Sequence, residues 1–173
     1  MSKFDRRNFI KKTSLSAAFA SSYVYSSENL RKNEQMYMGD FSAPKLNKIK
    51  AAFLGVGYRG KGHLKLFASL PGTEVVGISD LYEDNILRSN KILEDMNIST
   101  DSIKTYWGDD KKWKIMLKEV KPDIVFISTD WNSHGVMAVE TMKNGAHAFV
   151  EVPLAMTLKA VSYTHLTLPT TLS

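Results

Sequence analysis

With 173 residues the chain has room for one domain of ordinary size and hardly two. It is 43% hydrophobic, 24% charged and 10% aromatic, which excludes wholesale disorder and a collagen-like repeat, and the lack of cysteine excludes disulfides, thiolate metal sites and cysteine nucleophiles. The net charge of +5 does not mark a nucleic-acid surface, because residues 1–48 carry nine Lys/Arg against four Asp/Glu while residues 49–173 carry fourteen of each.

Residues 1–48 read as an address and a linker. A basic start is followed by small and apolar residues and then by Ala18-Phe19-Ala20, the small-x-small form of a signal-peptidase site. Arg6-Arg7 before Phe9, Ile10 and Lys11 resembles a twin-arginine export signal, which implies a periplasmic destination. The bland alternative is a short basic amphipathic helix. No run reaches the roughly 18 apolar residues that span a bilayer, so no membrane span is expected. The stretch 21–48, rich in Ser, Asn and Lys, reads as the linker and closes on Ser42-Ala43-Pro44.

The body, residues 49–160, alternates strand and helix patterns. Ile49–Val56 is an apolar run suited to a buried parallel strand, and it flows into Gly55-Val56-Gly57-Tyr58-Arg59-Gly60, a G-x-G-x-x-G. A helix is expected over His63–Leu70, ended by Pro71-Gly72, and a second strand over Glu74–Ser79, stopping at Asp80. In this order the three glycines have distinct duties. Gly55 permits a tight turn, Gly57 lets backbone N–H groups approach a pyrophosphate, and Gly60 allows close helix–strand packing. The helix start adds partial positive charge. Asp80, twenty residues beyond Gly60, stands where a carboxylate accepts a ribose 2′-OH, and its charge disfavours a 2′-phosphate. The cofactor expected is therefore NAD rather than NADP, with Arg59 as a phosphate contact or simply a solvated charge.

Downstream, Leu81–Met96 is predicted helical, with Ile86, Leu87, Lys91, Ile92 and Leu93 as its buried side. A short strand near Thr105-Tyr106 precedes Asp109, which is placed to cap a helix over Lys111–Val120. Lys121-Pro122 breaks that helix before a strand at Asp123–Ser128. Asn132 or Ser133 can cap the next helix, which runs to about Lys143; Asn144-Gly145 signals its end, and His147–Val150 is the fifth strand. Such alternation implies a Rossmann-type α/β fold, a doubly wound parallel sheet that binds ligands beyond the carboxyl ends of its strands. Tyr58, Asp80, Thr129–His134 and Glu151 all fall at those ends. The last stretch, 161–173, has no charged residue and resembles the translation of a transposon-type sequencing adapter. The frame GTC TCT TAT ACA CAT CTG ACG CTG CCG ACG encodes Val161 through Thr170. This tail is expected to be non-native, with the gene cut near residue 160 before a second α/β substrate domain; a native Thr-rich tail is the alternative.

The GVGYRG turn, the ISD at 78–80, KPDIVFIST followed by His134, and GAHAFVEVP at 145–153 resemble the Gfo/Idh/MocA oxidoreductase family of sugar and inositol dehydrogenases. That family's usual Glu-Lys-Pro, whose Lys serves dehydrogenase catalysis, is here Glu151-Val152-Pro153. Valine donates no proton. This departure, with Gly-x-Arg-Gly, Trp131-x-x-His134 and the export signal, is similar to glycoside hydrolase family 109, the NAD-dependent α-N-acetylgalactosaminidases. The resemblance sets Tyr58, Arg59, Asp80, Trp131, Asn132, Ser133, His134, Glu151 and Val152 against NAD, beside Gly55, Gly57 and Gly60. It implies a resident NAD that takes hydride from the sugar C3; the ketone acidifies the C2 proton, the glycosidic substituent is eliminated, water adds and the hydride returns. Paired carboxylates need not be sought for that scheme. Catalytic residues are expected beyond residue 160, so the chain as it stands should not turn over substrate.

Plainer duties stand beside each residue. His134 fits the first turn of a helix, Trp131 fits packing, Glu151 fits orienting the loop before Pro153, and His63 and His147 read as structural. Trp107 and Trp113 read as core or interface. Asp109-Asp110 suits a helix cap better than a metal pair, and no metal is expected. Three functions compete: an exported NAD-dependent glycosidase acting on a carbohydrate, a sugar or inositol dehydrogenase that releases NADH, and a silent NAD-binding module. Homo-oligomerisation of the full-length protein stays open.

Overall fold

A computed structural model describes residues 45–158. The export signal, nearly all of the linker, and the tail at 161–173 lie outside the described residues. Five parallel strands form one sheet: β1 (Ile49–Leu54), β2 (Thr73–Ser79), β3 (Lys104–Tyr106), β4 (Ile124–Ile127) and β5 (His147–Val150), in the order β3-β2-β1-β4-β5. Between them run α1 (Tyr58–Ala68), α2 (Glu83–Asp95), α3 (Lys112–Val120) and α4 (His134–Lys143). The expected Rossmann-type parallel sheet is the one observed.

The central strand explains the layering. Ala51, Ala52, Phe53 and Leu54 of β1 are all buried, as a strand covered on both faces requires. Ala51 and Phe53 join Leu64, Phe67, Ile86 and Leu93 in the core under α1 and α2. Ala52 and Leu54 join Trp113, Met116, Leu117 and Ala138 in the core under α3 and α4. An irregularity passes over Val76: Ala51 pairs with Val75 and Ala52 with Gly77. Val75 and Ile78 therefore share the first core although they are three residues apart. Phe53 stacks on Phe126 with centroids 4.9 Å apart, and each buried aromatic of this kind is worth about 1.5–3 kcal/mol.

Several predicted boundaries move. Helix α1 begins at Tyr58, five residues before His63, despite the poor helix propensity of Gly60 and Gly62. Packing overrides propensity there: a Cβ on Gly60 would stand 1.9 Å from the carbonyl oxygen of Gly55. On α2 the buried stripe is Ile86, Ser89 and Leu93, while Leu87 and Lys91 are exposed. Asp109 does not cap α3, whose N-cap Lys111 makes no side-chain cap bond. Its carboxylate instead accepts the Lys111 N–H at 2.7 Å and closes the turn before the helix. Ser133 occupies the N-cap position of α4 but also makes no cap bond, because its hydroxyl donates to the Asp130 carbonyl at 2.8 Å. The end of α4 matches its signal: Gly145 has φ +84, its N–H reaches Met142 O, and the Ala146 N–H reaches Thr141 O.

Candidate cofactor site

The strand order reverses between β1 and β4, and a crevice of about 640 Å³ opens at that point above the carboxyl ends of β1, β2 and β4. Gly55, Gly57, Asp80, Ser128 and Ser133 are among its walls. Each glycine of the turn has a separate physical reason. Gly55 has φ +78, and a Cβ on it would meet the Ser128 carbonyl oxygen at 2.7 Å. Gly60 carries the helix onto the turn. Gly57 differs: a Cβ there would meet nothing within 4 Å, so its bareness serves open space rather than packing. It is the N-cap of α1, with no side-chain cap bond and no acidic residue in the first turn. The first N–H groups of the helix therefore keep their partial positive charge for something else.

Asp80 closes the other side. Its Oδ2 accepts the Val56 N–H at 2.8 Å, and its Oδ1 accepts the Tyr82 N–H at 2.9 Å and the Asn85 Nδ2 at 3.1 Å. The carboxylate is thus oriented by three protein donors and fastens the glycine turn to the end of β2. A carboxylate offers about four acceptor positions, which leaves one on Oδ2. Asn85 also lines the crevice and was missed by sequence reasoning. The available signal was an amide in the first turn of the helix that follows the terminal acid.

Other residues singled out in the sequence lie elsewhere. Glu151 faces α1: its Oε1 is 2.6 Å from His63 Nε2 and 3.8 Å from Arg59 Nε. The His63 hydrogen bond is the main reason its carboxyl is held below the usual range, with Arg59 adding to it against partial burial. His134 is 1% exposed. Its Nδ1 lies 2.9 Å from the Pro153 carbonyl oxygen and its Nε2 3.2 Å from that of Thr129. The His134 ring is thus enclosed, with both nitrogens facing protein carbonyls. Tyr58 (92% exposed), Trp131 (56%) and Val152 (79%) project outward, and Asn132 is exposed beside Trp131. Asp130 orders this loop. Burial opposes its charge, but hydrogen bonds from Ser133 and from backbone N–H groups, including that of Asn132, outweigh burial and hold its carboxyl below the usual range.

The residues present fit a dinucleotide. An open, uncapped helix start meets the needs of a pyrophosphate, and an oriented carboxylate with a spare acceptor meets those of a ribose hydroxyl. The wall formed by Leu54, Trp113, Val136 and Met137 supplies apolar surface. Among the described residues no group of three or more His, Asp or Glu is arranged to hold a metal, and no helix is long and apolar enough to cross a membrane.

Comparison with known proteins agrees with this geometry. The Gfo/Idh/MocA model, an oxidoreductase family with an NAD-binding Rossmann fold, matches residues 49–166, and the chain belongs to that family. The domain is the family's NAD-binding one. Among curated relatives, glycosyl hydrolase family 109 protein 2 of Akkermansia muciniphila is 48% identical over 130 residues, covering 75% of this chain and 27% of that protein. Protein 1 of the same organism is 46% identical over 129 residues, covering 75% and 26%. The chain therefore spans about a quarter of the length of these relatives. Among solved structures, scyllo-inositol dehydrogenase from Lactobacillus casei with bound NAD(H) and scyllo-inositol superposes with a TM-score of 0.59 at 20% identity, covering 69% of this chain and 32% of that one. Myo-inositol dehydrogenase from the same organism, with NAD(H) and myo-inositol, gives 0.57 at 23% identity, covering 69% and 33%. These two show the shared fold.

Proposed function

We propose that the intact protein is an exported glycosidase that employs NAD for transient oxidation of an N-acetylgalactosaminide-type sugar, and that residues 49–160 are its cofactor-binding part. The observation that carries this reading is Val152. It stands exposed at the exit of β5, in the place of a dehydrogenase lysine, and its side chain has no group to take up the hydroxyl proton when a hydride leaves an alcohol carbon. Support comes from relatives named for glycosyl hydrolase family 109 at nearly half identity. When bound, NAD supplies a reversible hydride acceptor.

In this reading the chain's own residues bind and orient. Gly57 and the first N–H groups of α1 cradle the pyrophosphate, with Gly55 and Gly60 holding the turn that presents them. Asp80 gives its spare acceptor to a ribose hydroxyl and repels a 2′-phosphate, which favours NAD over NADP. Tyr58, Arg59, Trp131, Asn132 and Ser133 border the ligand through main-chain atoms or their exposed faces, and the backbone of Glu151-Val152 closes its far end. The residues that act on the sugar belong to the part of the protein after residue 160. The leader at 1–48 directs twin-arginine export to the periplasm, a route that carries folded protein with cofactor already loaded, and the tail at 161–173 is foreign to the native protein.

A dehydrogenase reading is favoured by one observation, the resemblance of the fold to inositol dehydrogenases. The two separate in one assay. Full-length protein given an aryl N-acetylgalactosaminide is expected to release the aryl group with no net NADH; NADH formed in step with sugar oxidation, without aryl release, contradicts the glycosidase.

A further inference from the structure

The segment that leaves β5, residues 151–153, is held from both helical layers by histidines. On one side, His63 in the second turn of α1 contacts the Glu151 carboxylate at 2.6 Å. Its ring is locked in place, stacked on Phe126 at 6.0 Å and edge-on to Phe149 at 5.8 Å. On the other side, His134 at the start of α4 bonds the Pro153 carbonyl oxygen at 2.9 Å and faces the Thr129 carbonyl oxygen at 3.2 Å. Between the two, the Glu151 N–H donates to Ile127 O at 3.0 Å, so the segment continues the ladder with β4.

These contacts have a common geometry. Helix α1 begins at the glycine turn, and Thr129 belongs to the loop after β4; Gly57 and Thr129 both line the crevice. Each of the two chain segments that shape the crevice is therefore tied to 151–153 by one histidine. Neither ring lines the crevice itself.

We propose that His63 and His134 are positioning residues, a two-sided clamp that fixes the exit of β5 relative to the glycine turn and the 128–133 loop and thereby sets the bound pose of the dinucleotide. This rests on the cofactor reading given above. The clamp gives the Glu151 carboxylate to α1 and leaves only the main chain of that residue to border the ligand.

The test uses the whole chain and NAD as the probe, with affinity measured by calorimetry and folding by thermal melting. Losing one such hydrogen bond is expected to weaken NAD binding about five-fold in His63→Leu. His63→Gln, whose amide nitrogen reaches the position of Nε2, should restore affinity to within about two-fold of wild type on the same scale. In a Glu151→Leu background the His63→Leu substitution should have no further effect, which a purely structural histidine would not show. His134→Asn, which keeps a donor toward Pro153, serves as the second variant should His134→Leu fail to fold; the clamp requires it to bind more tightly than a folded His134→Ala. Wild-type binding with unchanged affinity in folded His63→Leu, or no rescue by His63→Gln, overturns the clamp and leaves the cofactor reading intact. No binding of NAD by wild type overturns the cofactor reading and the clamp with it.

Discussion

Asp80 has two duties that pull in the same direction. Three protein donors aim its carboxylate, and the residue lines the crevice with one acceptor position still to fill. Asp80→Ala should therefore weaken NAD binding and also leave the Val56 and Tyr82 N–H groups without their acceptor, lowering stability by about 2 kcal/mol. Calorimetry and denaturant melts on the same samples check both; unchanged affinity would remove Asp80 from the site. Its position was legible, because twenty residues of spacing and the end of an apolar run suffice to find it. Its partners were not, since Val56 and Asn85 meet it only once β1, β2 and α2 are assembled. His63 carried still less signal: nothing local marks a histidine that pairs with a glutamate 88 residues away. The same pair governs acid behaviour. Glu151 has its folded pKa lowered, chiefly by His63, so the stability it contributes is in place above the ordinary value of 4.5 and is lost as pH falls through the lowered value. Thermal melts between about pH 5 and pH 3 should show a shallower loss in Glu151→Gln than in wild type; equal slopes would exclude the pair as a contributor.

At the level of elements, α1 offers a matched pair of glycines. Gly60→Ala places a methyl 1.9 Å from the Gly55 carbonyl oxygen, a backbone atom that cannot yield, and should cost about 3 kcal/mol or more or prevent folding. Gly62→Ala meets nothing within 4 Å in the same helix and should stabilise by about 0.5–1 kcal/mol. Denaturant midpoints of the two variants would move in opposite directions. The contrast also shows why the start of α1 escaped prediction: propensity treats the two glycines alike, and only packing tells them apart. Strands were easier, because buried parallel strands read as apolar runs; β5 was located to the residue, β1 and β4 shortened only at their ends, and β2 gained Thr73 at its start. At the β3–α3 junction, the Tyr106 hydroxyl donates to Glu119 at 2.6 Å. Burial first, then this hydrogen bond and the negative charge of Glu119, push its pKa up to about 12. The raised value means that stability is fully present below the ordinary 10.0 and is lost as pH rises toward about 12. A spectrophotometric tyrosinate titration should lose a phase ionising near pH 12 in Tyr106→Phe; an unaltered curve would contradict the assignment.

Over the whole molecule, the order β3-β2-β1-β4-β5 is what turns separate strand ends into one crevice. Alternation of strands and helices made a parallel sheet legible, and the glycine turn followed by a terminal acid pointed to the carboxyl end. Which residues share the crevice was only partly legible, for a physical reason. Side chains at strand ends sit close in sequence logic but diverge in space: Gly57 and Asp80 face the crevice, whereas Glu151 turns to α1 and His134 is enclosed between two loops. The chain spans about a quarter of the length of its curated relatives. What this part must do alone is hold the dinucleotide, and Gly57 isolates that task because its substitution leaves packing untouched. The decisive measurement is a calorimetric titration of NAD into wild-type chain and Gly57→Ala, with melting curves alongside. Saturable one-to-one binding by wild type, weakened about ten-fold or more in a variant that melts within a few degrees of it, is the expected result. No binding by wild type, or equal binding by both, would contradict the account.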